Sequence, residues 1–341
     1  MTVAPDAPLS GIRVLDLTRL LPGPLATRHL AEWGAEVIKI EGPIGQDDGA
    51  RYMGLTAEDI AAQRPSLTFR RLNAGKTLLR LDLREAAGRD RLLEMAREAD
   101  VLIEGFRPGV MQRLGLAWET LHAANPRLVV CAISGYGQRG PWSGRAGHDI
   151  NYIAMAGVLE QIATPDGEIA LPNFQIGDLL GGAQAALSGL LAALVSAQRH
   201  GRGRYVDISM AHEVLRHHVL AGATLAATGK VPSPGRDLLS GGAPCYGVYG
   251  TADARHLAVG ALELKFWQAL CEAIGRPQWG QRHWSLGEAP GGDAAMALRD
   301  ELAALIGARP LAHWLALFDP VDCCVTPVLR LDEAQRHPLF T

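Results

Sequence analysis

An imidazole and a carboxylate, His148 in G-H-D-I-N-Y and Asp178 in I-G-D-L-L-G-G, are separated by 29 intervening residues of apolar and loop character. Histidine is the side-chain type whose ordinary titration lies closest to neutrality. A carboxylate at a helix start meets free backbone N–H groups that favour its charged form and keep it a competent base. Two such proton carriers can remove a hydrogen from one face of a carbon and return it to the other. Asp178 precedes L-L-G-G-A-Q-A-A-L and is expected to cap the helix that follows. Glu263, in V-G-A-L-E-L-K-F-W, falls between a strand-like run and an apolar helix. There a carboxylate bonded to an imidazole would fix its tautomer and raise its basicity.

These groups need elements to hold them. Gly11 to Leu17 reads as a strand, Pro22-Gly23-Pro24 as a turn, Leu25 to Trp33 as a helix and Ala35 to Ile40 as a second strand. That is a β-α-β unit with parallel strands and a right-handed crossover. Strand patterns at Thr77 to Leu83, Asp100 to Ile103 and Leu128 to Ser134, with a helix over 84–97, extend it into an open α/β domain. Gly135 to His148 then carries five glycines and a proline in fourteen residues, a loop at the carboxyl end of a strand, where open sheets usually bind ligands. A long apolar helix from Asp178 to about Gln198, a short strand at Tyr205 to Ile208 and a helix from Ser209 to Ala221 follow. Residues 225–244 read as a turn-rich linker, and two strands around Thr251 to Ala254 with later helices suggest a second, α+β domain over 225–325.

Composition excludes several classes. At 341 residues and 48% hydrophobic the chain can build a large core, and 33 basic against 36 acidic residues give no field to recruit nucleic acid or an anionic membrane. The apolar stretch around Ala183 to Val195 is interrupted by Gln184, Ser188 and Gly189 and is too short to span a bilayer. The beginning of the chain lacks the basic and apolar pattern of a secretion leader, and five scattered cysteines without C-x-x-C spacing point to a reducing, cytoplasmic setting. Adjacent Cys323 and Cys324 are expected to be ordinary buried thiols. No phosphate-binding P-loop, dinucleotide fingerprint, serine elbow or H-E-x-x-H helix occurs, and His212, His217 and His218 lack the spacing of a metal site.

The motifs G-I-R-V-L-D-L-T-R-L-L-P-G-P, L-A-E-W-G-A-E-V-I-K-I-E, L-N-A-G-K, A-D-V-L-I-E-G-F-R-P-G-V-M, S-G-Y-G-Q-R-G-P, G-H-D-I-N-Y, G-D-L-L-G-G and G-R-G-R-Y-V-D-I-S-M run in order along the chain. Together they resemble the family III coenzyme A transferases, the CaiB/BaiF-like group, and within it the alpha-methylacyl-CoA racemase branch. The resemblance implies a large Rossmann-like α/β domain binding CoA, here 1–224, a smaller α+β domain and an interlocked homodimer. Residues 326–341 would form a C-terminal segment shorter than in relatives. It implies His148 as general base, Asp178 as the opposing acid or base and Glu263 as support for the histidine. In transferases of this family an aspartate attacks the thioester, and the resemblance places it on Asp149. Arg107 in F-R-P-G is the first candidate for a CoA phosphate contact, since the guanidinium fork suits phosphate; Lys76 and Arg71, near L-N-A-G-K, are further candidates. One departure is Gly105, where relatives often carry asparagine.

The implied reaction is racemisation of 2-methylacyl-CoA thioesters by proton transfer at the alpha carbon. Backbone N–H groups near Leu179 and Gly181 would steady the thioester oxygen. CoA enters as part of the substrate, with no metal, redox cofactor, nucleic-acid or membrane partner. The alternatives are CoA transfer to a carboxylic acid through Asp149 and a non-catalytic CoA-binding or interaction protein.

Overall fold

The computed structural model describes residues 6–340, which divide into two compact units. The larger comprises the chain up to Leu159 together with Pro172–Val219. Its elements are β1 (Arg13–Leu17), α1 (Pro22–Glu32), β2 (Glu36–Glu41), β3 (Thr77–Arg80), α2 (Ala86–Ala96), β4 (Val101–Glu104), β5 (Val129–Ser134) and α3 (Asp149–Met155). A π-helical segment, Gly177–Gln184, then runs into α4 (Ala185–His200), followed by β6 (Tyr205–Ser209) and α5 (Met210–His217).

All six strands are parallel, in the order β3-β2-β1-β4-β5-β6. β4 and β5 are buried along their whole length, as expected of strands covered on both faces, and β3 at the edge is mostly exposed. Alternate residues go to opposite layers. Val14, Val101, Ile103 and Val129 pack with Leu187, Leu190 and Leu194 of α4 and Leu30 of α1. Leu15, Leu102 and Val130 pack with Leu92 and Ala96 of α2 on the other face. The strand order reverses between β1 and β4, and in a doubly wound sheet the crevice outside those carboxyl ends is the usual binding place.

Local departures from the sequence reading have physical causes. Pro22-Gly23-Pro24 is the first turn of α1 rather than a turn before it, because proline needs no N–H acceptor there and its φ already suits a helix. The apolar helix runs from Gly177 to His200, close to the expected span, and its first eight residues are π-helical rather than α-helical. By length and composition that run could cross a membrane, but the sheet buries its Ala186, Leu187, Leu190 and Leu194. The helix expected over 209–221 breaks at His218, and α6 (Val219–Thr228) continues into the supposed linker.

The smaller unit takes Leu220 onward and also Glu160–Leu171, a stretch assigned by sequence to the first domain. A bridge between Ala163 and Ile169 folds that stretch on itself, and Gln161 Nε2 donates to Pro232 O at 3.1 Å. The sheet here is antiparallel: β7 (Tyr246–Gly250), β8 (His256–Gly260) and β9 (Val325–Pro327). β9 pairs with β8, so residues beyond 325 begin as part of the unit rather than as a separate tail. Leu257 and Val259 of β8 pack on Trp267 and Leu270 of α7 (Leu264–Ala273), Leu298 and Leu302 of α8 (Asp293–Gly307) and Trp314 of α9 (Leu311–Phe318). Cys323 is buried as expected, whereas Cys324 is exposed.

Candidate functional site

Three loops leaving β1, β4 and β5 enclose a cleft of about 470 Å³ in the larger unit. After β1 the chain turns through Thr18, Arg19 and Leu20 directly into α1. That close turn requires Gly23, where a Cβ would lie 2.3 Å from the Thr18 side chain. After β4 come Gly105, Phe106 and Arg107, all in the cleft wall. The glycine-rich loop after β5 wraps the rings of Tyr136 and Tyr152. A Cβ on Gly135 or Gly147 would come within 2.4 or 2.8 Å of Tyr152 Cε1. This packing delivers His148 to the mouth of α3, where its N–H donates to Asn151 Oδ1 at 3.0 Å. His148 is exposed and lines the cleft.

Asp178 lines the same cleft from the π-helical segment. Two glycines let that segment approach its neighbours: a Cβ on Gly181 would meet Met210 O at 2.6 Å, and one on Gly182 would meet Pro22 Cβ at 2.6 Å. π-helical turns recur at functional sites. Burial pushes the Asp178 carboxyl up to about 6, the nearby Asp149 charge adds to the rise, and His148 opposes it. A group titrating there can both accept and return a proton near neutrality.

Asp149, the residue after His148, opens α3 and is half-buried. It is absent from the cleft lining, and its Oδ1 accepts the Asp178 N–H at 2.9 Å. Gly177 leaves room for that bond, since a Cβ there would sit 2.9 Å from the same oxygen. Helix capping therefore belongs to Asp149. Asp178 lies inside the first turn, and the residue at the cap position is Ile176, without a side-chain capping bond. The Leu179 N–H also differs from expectation, because it donates to Gln175 O at 2.8 Å. Among the described residues the first-turn amides of Asp149 and Ile150 meet no acceptor.

Of the basic candidates, Arg107 is exposed in the cleft. Lys76 is not available there. Its side chain is fully buried and its ammonium donates to Asp16 Oδ2 at 3.0 Å, Pro24 O at 2.8 Å and Asn73 Oδ1 at 2.9 Å. Arg71, on the short helix Leu67–Leu72, is exposed but outside the cleft lining. Sequence reasoning missed Arg19 and Arg145, which complete a basic rim. The signal for Arg19 was its place immediately after β1. Arg145 sits in the glycine-rich loop, its guanidinium 5.2 Å from the centre of the Trp142 ring. Arg19 and Phe106, 5.8 Å apart, also wall a second depression of about 180 Å³ against Ile40, Pro43, Leu81 and Leu83.

Beneath Phe106, the buried Glu104 accepts its N–H at 2.7 Å. Burial, with Asp207 adding to it, pushes that carboxyl up to about 7 despite the hydrogen bond. Glu263 belongs to the smaller unit, exposed at the start of α7, where its side chain makes no capping bond. Among the described residues no three His, Cys, Asp or Glu side chains gather where they could hold a metal ion. His212 Nδ1 instead meets Ser209 Oγ at 2.6 Å, and His217 Nδ1 meets Glu213 O at 2.7 Å.

The family model for CoA-transferase family III matches residues 9–341. The human alpha-methylacyl-CoA racemase is 34% identical over 330 residues, covering 96% of this chain and 80% of that protein. The acetyl-CoA:oxalate CoA-transferase of Acetobacter aceti is 34% identical over 341 residues, covering 98% and 84%. A CaiB/BaiF family protein from Brucella suis superimposes with a TM-score of 0.82 at 25% identity, covering 98% of this chain and 87% of that one.

Proposed function

Because the chain belongs to the family III CoA-transferases, we propose that it is an enzyme moving a proton at the alpha carbon of a 2-methylacyl-CoA, with His148 and Asp178 as the two carriers. The observation that carries this reading is their presence in one cleft, with His148 close enough to oppose the rise of the Asp178 carboxyl. One group removes the alpha proton. The electrons of the broken C–H bond pass into the thioester, giving an enolate whose oxygen gains charge. The free amides of Asp149 and Ile150 are suited to that oxygen, because preorganised donors act most strongly where charge develops. The opposite group then returns a proton to the other face and the stereocentre inverts. CoA phosphates would meet Arg107, Arg19 and Arg145, with the nucleotide base in the depression beyond Phe106. Glu263 would orient His148 within an interlocked homodimer. The exposed apolar side chains of Val219, Leu220 and Leu225 on α6 agree with such a partner surface.

A second reading, CoA transfer, is favoured by the family match and by transferases among the relatives. In it an enzyme carboxylate attacks the thioester carbonyl and CoA leaves as its thiolate. The thiolate then attacks the enzyme's own carbonyl in the mixed anhydride, releasing the first acid and leaving an enzyme–CoA thioester. The acceptor carboxylate opens that thioester to a second anhydride, whose acceptor carbonyl takes CoA and frees the enzyme carboxylate. The family resemblance implies Asp149 for this attack, its Oδ1 accepting the Asp178 N–H and its Oδ2 holding no hydrogen bond among the described residues; Asp178, in the cleft, is the other candidate.

Solvent-deuterium incorporation at C2 of each epimer of 2-methylacyl-CoA, with and without an acceptor carboxylic acid, tests both. Exchange without acceptor supports proton transfer. A new acyl-CoA formed only with acceptor, and no exchange without it, would replace that reading by transfer.

A further inference from the structure

Four charged side chains are sealed beneath the turn that follows β1. Asp16 with Lys76 and Lys39 with Asp48 form ion pairs at 3.0 and 3.1 Å, and all four side chains have no exposed surface. Buried pairs are weak stabilisers, because removing two charges from water offsets most of their attraction. Three of the four hydrogen-bond to that turn, and the fourth, Lys76, holds Asp16. Asp16 Oδ1 accepts the Thr18 N–H at 2.9 Å, Lys39 donates to Thr18 O at 2.7 Å, and Asp48 Oδ1 accepts the Leu20 N–H at 2.9 Å. The main chain on both sides of Arg19 is thereby fixed. Leu20 is moreover held at φ +65°, a left-handed conformation that a side-chain-bearing residue keeps only when its surroundings impose it. Arg19 itself points into the open, on the wall shared by the cleft and the second depression.

We propose that Lys39 and Asp48 are positioning residues for the nucleotide half of the substrate: they hold the Thr18–Leu20 turn so that Arg19 presents its guanidinium to the CoA phosphates. The proposal rests on the acyl-CoA reading above. It requires neither residue to touch the ligand. It also separates the two halves of CoA, since a pantetheine thioester lacks the phosphates and has nothing for Arg19 to hold.

The test is a double-mutant cycle on the full chain, with CoA affinity measured by calorimetry and turnover measured on an acyl-pantetheine. Arg19→Ala and Asp48→Asn should each weaken CoA binding about tenfold or more, the scale of a lost charge-assisted contact. The double variant should be no weaker than Arg19→Ala alone, and in all three acyl-pantetheine turnover should fall by a smaller factor than CoA affinity. Additive losses, or an Asp48→Asn protein that binds CoA as the wild type does, would overturn the proposal. If Asp48→Asn does not fold, Lys39→Met combined with Asp48→Leu takes its place in the cycle with the same expectations, because removing both partners strands no charge. Failure of the wild-type protein to bind CoA at all would remove the acyl-CoA reading and this proposal together, an outcome visible before any variant is made.

Discussion

The two sides of the cleft treat charge in opposite ways. Under the β1 turn each ion is matched by an opposite ion and by main-chain partners, and Lys39, Lys76 and the Lys76 contact oxygens of Asp16 are closed off from water. Across the cleft, the Asp178 carboxylate takes part in no ion pair or hydrogen bond among the described residues, although it is half-buried beside another carboxylate. Paired charges keep a shape. An unpaired, partly desolvated carboxylate has its protonated form raised in population, which is what a proton carrier needs. Complete ionic partners suit a structural role, and a withheld partner suits the chemical role proposed for Asp178.

The largest expected effect breaks the chemical side. His148→Ala and Asp178→Asn should each lower deuterium exchange by about 10²- to 10⁴-fold, the range for a positioned general acid or base. Each loss should fall most heavily on the epimer whose proton that group removes, while CoA affinity stays close to wild type. Undiminished exchange of both epimers in either variant would take that residue out of the mechanism.

Stability should divide the two sides by sign. Asp16 is held below its ordinary value: burial alone would raise it, but Lys76, Lys39 and hydroxyl bonds from Thr18 and Thr27 outweigh that. Its contribution is present above the unfolded value of 3.8 and is lost as pH falls through the depressed folded value. Asp16→Asn, which strands Lys76, should destabilise at pH 7 by about 3–5 kcal/mol. Asp178 is the reverse case, with a folded value of about 6 above 3.8. Between those values the folded state holds the extra proton, so stability declines as pH rises through that window, and the penalty is complete above it. Asp178→Asn should therefore stabilise the protein at pH 7 by about 1–2 kcal/mol, allowing for partial exposure, and the gain should vanish near pH 4. Denaturation at the two pH values reads both signs, and a destabilised Asp178→Asn would contradict the contrast.

Binding gives a smaller difference. Arg107→Ala should weaken CoA affinity about tenfold through loss of a charged contact, whereas Arg71→Ala, outside the cleft lining, should leave it within about twofold. Equal losses would mean that the ligand reaches beyond the cleft to the helix carrying Arg71.

How much of this was visible in the residues depends on the range of the interaction that decides it. Strands β4 and β5 were legible because burial on both faces demands nearly continuous apolar runs, β1 and β2 because Val, Ile and Leu alternate there around the buried Asp16 and Lys39, and the loop carrying His148 because five glycines admit no regular element. Thr18 to Leu20 gave no such signal. Its importance comes from Lys39 and Asp48, which reach it from 21 and 28 positions along the chain and which local patterns treat as a surface cation and a turn residue. Lys76 reads as a phosphate contact for the same reason: nothing nearby in sequence reveals that Asp16 and Pro24 enclose it. Glu160–Leu171 likewise joined the smaller unit through Pro232, a contact 71 residues away.

Asp149 and Asp178 show the same limit at closest range, and exchanging their roles gives the finest test. Both precede or open a helix, so both look like caps, and only the fold assigns the capping bond to Asp149. Asp149→Ala should leave the Asp178 N–H without its acceptor and destabilise by about 0.5–2 kcal/mol. It should also remove the neighbouring negative charge that helps raise Asp178, so the acid limb of the exchange profile should move to lower pH while exchange itself persists. Thermal denaturation and a pH series on the same protein read the two effects. A variant of undiminished stability that had lost both exchange and transfer would reverse the assignment, because a carboxylate that holds no backbone is free to be the one that reacts.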